Sequence, residues 1–372
     1  MSIVRATPFH ARTAEANRGN RWTTRGGFTL AAACGGTAEE ASAARLSVAM
    51  GDISWRWRVM LEGPRVGELV RRLFTRDATA LKPGEALKAL WLADGGGVRG
   101  AGVVARLGKQ SFQLVAAAED SAWTTDAAAL FGVGVRDVTE AEGGLAIVGP
   151  YAAKLIAALG LDPALKKLAF RKVFWRQLDV TVSRFGEHGG YELWCKADDA
   201  LYLWDRVTRA GEAFALIPAG LDAMDVLDIE AGVSRPGRDY DGARSAVDAE
   251  PLAGELRLSK LIDEMLTGYN GERGARAARP KRALVGLLLD GERPAPFTAV
   301  MRDGAVAGRT LSSCVSPLLR RAIALAQLDE AHAAPGTKLS LTLPGTRDLL
   351  PAVANATVVD LPFLPAPDPL AP

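Results

Sequence analysis

The sequence predicts an α+β protein of several domains that ends in a small β-rich domain. Three observations carry that reading. Strand-like alternation and helical periodicity interleave through roughly the first 230 residues. Short strands separated by turn signals take over beyond residue 280. At 372 residues, the chain exceeds one ordinary hydrophobic core and points to about two or three domains.

An Ala-rich helical pattern at Ala38 to Arg45 leads into the segment Ser47 to Ser54. From Trp55 to Leu61, the residues Trp55, Trp57, Val59 and Leu61 alternate with Arg56, Arg58 and Met60, predicting a strand with one basic face. Gly63-Pro64 turns the chain into an amphipathic helix at Val66 to Phe74. Strands are expected at Ala89 to Leu92, Val98 to Leu107 and Ser111 to Ala116, with a turn at Asp94 to Gly97, and a helix at Thr124 to Phe131. A helix at Tyr151 to Leu159 precedes strands at Phe170 to Trp175, Gln177 to Phe185 and Tyr191 to Cys195. Helices follow at Asp198 to Ala210 and Leu221 to Gly232. The run Gly271 to Pro280 reads as a linker, and short strands come next at 282–289, 299–302, 305–311, 321–328 and 338–343.

Composition narrows the function classes. Hydrophobic residues make up 48% and charged residues 24%, a globular mixture that excludes a disordered chain. A net charge of +2 from 45 basic and 43 acidic residues gives no electrostatic footprint for nucleic acid. No apolar run is long enough to span a bilayer, so no membrane partner is expected. The three cysteines, Cys34, Cys195 and Cys314, are far apart and fit neither a zinc spacing nor a disulfide framework. No metal site and a reducing cytoplasm follow as expectations.

Seven short segments in order resemble the aminomethyltransferase family, the T-protein of the glycine cleavage system. They are Asp52-Ile-Ser54, Gly63-Pro64, Gly190-Tyr-Glu-Leu193, Pro218-Ala-Gly-Leu-Asp222, Ile229-Glu-Ala-Gly232, Val285-Gly-Leu287, and Ser316-Pro317 ahead of Ala322 to Ala326. The resemblance implies an α+β three-domain ring with a central cavity and a C-terminal β-barrel domain. Its expected division is 1–60 with 150–255 as a first discontinuous domain, 61–149 as a second, and 280–360 as the barrel. It also implies binding of tetrahydrofolate and movement of a one-carbon unit.

Residue by residue, the implied folate site is degraded. The family's acid follows a Gly-Gly-hydrophobic turn, and here Gly100 and Ala101 occupy the aligned positions. Ala116 stands for the pterin-contacting Asn, Arg56 for a methionine beside the folate rings, and Met224 for an arginine. Glu192 matches the carboxylate that contacts the pterin, where it accepts paired N–H donors; the alternative is a plain ion pair with a nearby arginine. Arg56 offers a cation to a phenolate or carboxylate, or else forms a surface salt bridge. Among the glycines of the turn, Glu187, His188 and Tyr191 are the candidates for a base, His188 being otherwise a solvated loop residue. Trp57 replaces a small residue of the family, and Trp175 lies near the expected cavity, so both join Glu192 and Met224 as candidate substrate contacts.

These departures predict an enzyme acting directly on a small aromatic molecule without a cofactor. The reaction expected is folate-independent carbon–carbon cleavage releasing formaldehyde from a hydroxymethyl group. His188, Glu187 or Tyr191 would take the proton, and Arg56 would stabilise developing charge. Two alternatives stand beside it: a tetrahydrofolate-dependent methyltransferase or O-demethylase, and a non-catalytic folate-binding module. The oligomeric state is left open.

Overall fold

The computed structural model describes residues 4–186, 188–241, 250–343 and 352–365. It divides into two compact units, one of 4–89 with 101–225 and one of 90–100 with 226–365.

The first unit is built on a six-stranded sheet. Its order is Phe170–Trp175, Leu178–Ser183, Tyr191–Lys196, Glu142–Val148, Val48–Asp52 and Leu216–Ala219. Neighbours run antiparallel except the last pair, which is parallel. Side chains of a strand alternate between faces. Met50, Leu145, Ile147, Val180, Val182 and Leu193 therefore share one buried face. It packs on Leu155 and Ile156 of the helix Ala152–Ala158 and on Leu203 and Val207 of the helix Ala200–Gly211. The opposite face carries Thr181, Ser183, Glu192 and Trp194, and it is there that charge is buried.

A second, five-stranded sheet runs Ala86–Leu92, Val98–Gly108, Ser111–Ala116, Trp57–Glu62 and Gly134–Asp137. The strand expected from Trp55 begins only at Trp57. Residues 53–56 form a turn because the Asp52 carboxylate accepts the Ser54 backbone N–H at 2.9 Å and its hydroxyl at 2.7 Å. The Arg56 N–H closes it on the Ile53 carbonyl at 3.1 Å. Arg56 is thus aimed by a turn, and strand alternation does not set its direction. Strands Arg5–Ala6, Arg21–Arg25 and Phe28–Ala33 form a further small sheet that the sequence pattern does not announce.

The second unit contains a closed barrel of Arg282–Asp290, Arg321–Asp329, Ala305–Ser316, Ala299–Arg302, Lys338–Leu343 and Ala352–Val359, the last strand pairing back to the first. Its interior interleaves small and large side chains, with Ala322, Ala324 and Ala326 beside Leu287, Leu289 and Leu341. The segment expected as a linker contains the helix Glu272–Ala277. The Glu272 carboxylate accepts the Gly268 N–H at 2.7 Å and pairs with Arg276 one turn on at 2.8 Å, contacts that favour this short helix. Among the described residues, no helix is long and apolar enough to cross a membrane.

Candidate functional site

Glu192 lies in mid-sheet, flanked by Ser183 on one neighbouring strand and Ala146 on the other. Its side chain is 1% exposed. Such a burial is tolerable only if the carboxylate is compensated. Arg56 does so, its Nη1 donating to Glu192 Oε1 at 2.6 Å. Glu192 Oε2 accepts the Trp194 indole N–H at 3.2 Å and, more weakly, the Ser183 hydroxyl at 3.4 Å. Of the alternatives open to Arg56 and Glu192, the structure shows the ion pair: each is the other's partner, across 136 residues.

A second buried cation adjoins this pair. Arg58 lies 2.7 Å from Glu142 Oε2, donates to Gln113 Oε1 at 3.1 Å, and stacks its guanidinium 3.7 Å above the Trp194 ring. Burial pulls the Arg58 guanidinium below its ordinary value, against the raising influence of Glu142 and then Glu192. The Trp194 ring fits because position 144 is glycine; a Cβ there would stand 2.4 Å from the indole. Arg58, Gln113, Glu142, Lys172, Thr181 and Trp194 line a pocket of about 130 Å³, room for a small molecule. Of these, only Arg58 carried a sequence signal, as part of the basic face of its strand. Trp194 reads as core from its sequence, and Gln113 and Glu142 carry no signal at all.

The other predicted positions are distributed more widely. His188 is 7% exposed, a buried residue and not a solvated one. Its turn runs past the ion pair, since a Cβ at Gly186 would lie 3.7 Å from Glu192 Oε1. Arg184 folds the same turn down by donating to the Gly189 carbonyl at 3.0 Å. Glu187 lies outside the described residues. Tyr191 points to the opposite, apolar face from Glu192, and its hydroxyl donates to the Pro163 carbonyl. Burial raises its phenol further from deprotonation. Trp175 sits in the same apolar core, its indole N–H on the Leu159 carbonyl at 2.7 Å. Trp57 is buried and donates to Asp137 at 3.1 Å. Met224 lies against Gly51, where a Cβ would meet its terminal methyl at 2.7 Å. The structure thus gathers Arg56 and Glu192, runs the His188 turn past them, and leaves Tyr191 and Trp175 in the core.

Ala116 is buried between Trp57 and Gly102 in the five-stranded sheet. In the second unit, Gly100 is covered by an indole: a Cβ would meet Trp91 at 2.2 Å. No side chain of any kind fits at that position without moving Trp91. Among the described residues, no group of three or more His, Cys, Asp or Glu side chains is gathered as a metal ion requires.

Comparison with known proteins places these features in a lineage. Residues 9–252 match the model of the GCVT N-terminal domain, and residues 282–364 match that of the glycine cleavage T-protein C-terminal barrel domain. An aminomethyltransferase of Streptomyces coelicolor is 34% identical over 84% of this chain and 86% of its own length. A trimethylamine-oxide aldolase of Ruegeria pomeroyi is 29% identical over 94% of this chain but only 46% of its own length. The crystal structure of aminomethyltransferase T from Bartonella henselae superposes with a TM-score of 0.86 at 22% identity, covering 98% of this chain and 99% of that one. That likeness carries the α+β fold with its C-terminal barrel.

Proposed function

Because the chain belongs to the aminomethyltransferase family of the glycine cleavage T-protein, we propose that it is a one-carbon enzyme whose folate site has been given over to direct cleavage of a small aromatic substrate. The observation that carries this reading is the Arg56–Glu192 pair at 2.6 Å. The carboxylate that the family resemblance assigns to the pterin already has Arg56 and Trp194 as donors, so pterin N–H groups would have to compete with a buried ion pair for it. Gly100 and Ala116 add no polar contact, and Trp91 closes the space at Gly100. On this reading the site does not take tetrahydrofolate, and the reaction runs without it.

The substrate of this reading is a hydroxymethyl phenol bound on the polar sheet face, beside Trp194 and Arg58. The ring carbon bearing the hydroxymethyl group is protonated first, giving a keto tautomer. His188 then removes the hydroxyl proton, the carbon–carbon bond breaks, and the departing carbon leaves as formaldehyde. The bonding pair returns to the ring, and the oxygen becomes a phenolate stabilised by Arg56. The sum is one hydroxymethyl arene giving one arene and one formaldehyde. A preorganised cation facing charge that develops only in the transition state is an economical catalyst, worth about 2.7–4 kcal/mol. The relative named an aldolase supports carbon-fragment release as a reaction within reach of this fold.

Formaldehyde production from 4-hydroxybenzyl alcohol, with and without added tetrahydrofolate, tests the proposal. Release without folate is expected. His188→Gln should lower it about 100-fold while the fold survives. A second reading, folate-dependent one-carbon transfer, is favoured by the 34% identity to an aminomethyltransferase. Low-micromolar folate binding by calorimetry, or activity only when folate is present, would replace the first reading with the second.

A further inference from the structure

The pocket beside Arg58 is walled by a row of side chains from each large sheet of the first unit. On the six-stranded sheet, Lys172, Thr181 and Trp194 stand opposite one another across three strands. On the five-stranded sheet, Gln113, Met60 and Arg136 do the same. Pairing register puts the members of each row on one face. Phe170 and Phe185, with ring centroids 5.9 Å apart, add an apolar wall. A cavity of this size holds about one benzene ring.

Donors and acceptors in the lining decide what polar group belongs there. Gln113 is 7% exposed, and its amide oxygen is spent on Arg58 at 3.1 Å. Its amide nitrogen keeps accessible surface and donates to no described residue, which leaves two N–H bonds at the pocket wall. The Thr181 hydroxyl likewise donates to no described residue, and Lys172 forms no ion pair with one. Arg136 has Glu62 at 3.6 Å, in a pair open to solvent. Glu142 is the one acid in the lining, and the buried Arg58 at 2.7 Å offsets it. With three cations against one carboxylate, the lining is net positive and its unspent groups are donors.

We propose that the substrate carries a carboxylate, held in this pocket by the Gln113 amide N–H groups, the Thr181 hydroxyl and the Lys172 ammonium, with Arg136 at the mouth from the opposite sheet. The inference rests on the one-carbon reading and adds an acid to the hydroxymethyl phenol proposed there. Spacing along the strand suits a single ring. Glu192, with its partner Arg56, precedes Trp194 by two residues on the same face, about 7 Å along the strand. A benzene ring with its two oxygen-bearing substituents spans that step, phenolate toward Arg56 and carboxylate in the pocket. A neutral phenol would leave the amide N–H groups and Lys172 to water, and a cationic one would meet like charge.

Calorimetric titration of the full chain with 4-hydroxy-3-(hydroxymethyl)benzoate and with the matching benzamide reads the acid group directly, and formaldehyde is assayed in the same samples. The benzoate should bind at least about tenfold more tightly. That preference should shrink as salt rises, because Lys172 and Arg136 are screened. Lys172→Gln alters an exposed side chain and should cut the preference about fivefold, the upper range for one exposed ion pair. Arg171→Gln removes a positive charge from the opposite side of the same strand and should leave it unchanged. Equal affinity for acid and amide, no binding of the acid, a preference that survives Lys172→Gln, or one that Arg171→Gln lowers equally would overturn the proposal. Formaldehyde reports on the one-carbon reading alone. Preferential binding without release keeps the acid pocket and removes the lyase, whereas release from both compounds at equal affinity keeps the lyase and removes the pocket.

Discussion

The barrel at 282–359 and the six-stranded sheet of the first unit are both antiparallel or nearly so, yet they treat buried polarity in opposite ways. The barrel's interior cluster is wholly apolar, and its buried polar side chains are neutral ones such as Thr310, Ser316 and Gln327. The open sheet keeps one apolar face and uses the other to bury Glu192 and Arg58, each held by an opposite charge. Closure explains the contrast. A small closed barrel has one inside, which packing fills, whereas an open sheet has a second face on which other elements can assemble a polar site. Charge buried on that face is costly, and its retention is the reason to look there for chemistry.

Four measurements break or sharpen this contrast. The largest effect is expected from Arg56→Ala, which strands a carboxylate that is 1% exposed. Removing one partner of a buried pair costs about 3–5 kcal/mol. Turnover should fall on the order of 100–1000-fold beyond any loss of folded protein. Replacing both partners together, Arg56→Met with Glu192→Leu, should restore most of the stability in denaturant titration and none of the activity. If the double variant is no more stable than Arg56→Ala, the pair is not the source of the cost.

Leu341→Ala is the matching cut in the barrel, where Leu341 is fully buried. It should cost about 2–5 kcal/mol through a cavity. The rate per folded molecule should remain unchanged, and a fall in that rate would end the division of labour between the two regions. Tyr191→Phe is gentler. It removes the hydrogen bond to Pro163, worth about 1 kcal/mol, and should leave the pH–rate profile untouched. A vanished pH limb in that variant would make Tyr191 the base after all.

The smallest effect concerns thiols of the first unit. Burial pushes Cys34 and Cys195 up to about 12, with Glu40 and Asp199 adding to the respective shifts. Because the folded values lie above the unfolded ones near 8.5, this contribution is complete below about pH 8.5 and is lost as the pH rises toward 12. At pH 8, neither thiol should react with a disulfide reagent until denaturant is added. Rapid native labelling of either position would show that the sheet opens locally.

Much of this contrast was legible in the sequence, and the remainder fails for identifiable reasons. The strands at 299–302 and 338–343 fall where the pattern placed them. The last barrel strand, Ala352–Val359, is missed although half its residues are β-branched, because its inward positions include the small Ala354 and Ala356 while the apolar Val353 is exposed, which blurs the alternation. Phe28–Ala33 was hidden by its run of alanines in the same way. At the site, Glu192 was visible through its motif and Arg56 through its departure from the family. Their contact was not, because no local pattern reports a pair separated by 136 residues. Trp194 and Tyr191 show the same limit in small. Two residues of a single strand belong to opposite faces, and only pairing register decides which face holds the chemistry.

The segment 90–100 belongs to a unit whose other residues begin at 226. Its contacts follow suit: Leu92 receives the Asn270 side-chain amide across 178 residues, and the Val98 N–H reaches the Pro251 carbonyl. On a ribosome adding about 5–20 residues per second, this hairpin tip waits on the order of ten seconds or more for partners that do not yet exist. The barrel is completed later still, since its first strand closes on its last. The first unit thus has an interval in which its sheet can form while Leu92 and Val98 still lack their partners. A hairpin drawn into a domain completed so late leaves apolar surface transiently exposed during synthesis, the kind of surface on which unfinished chains aggregate.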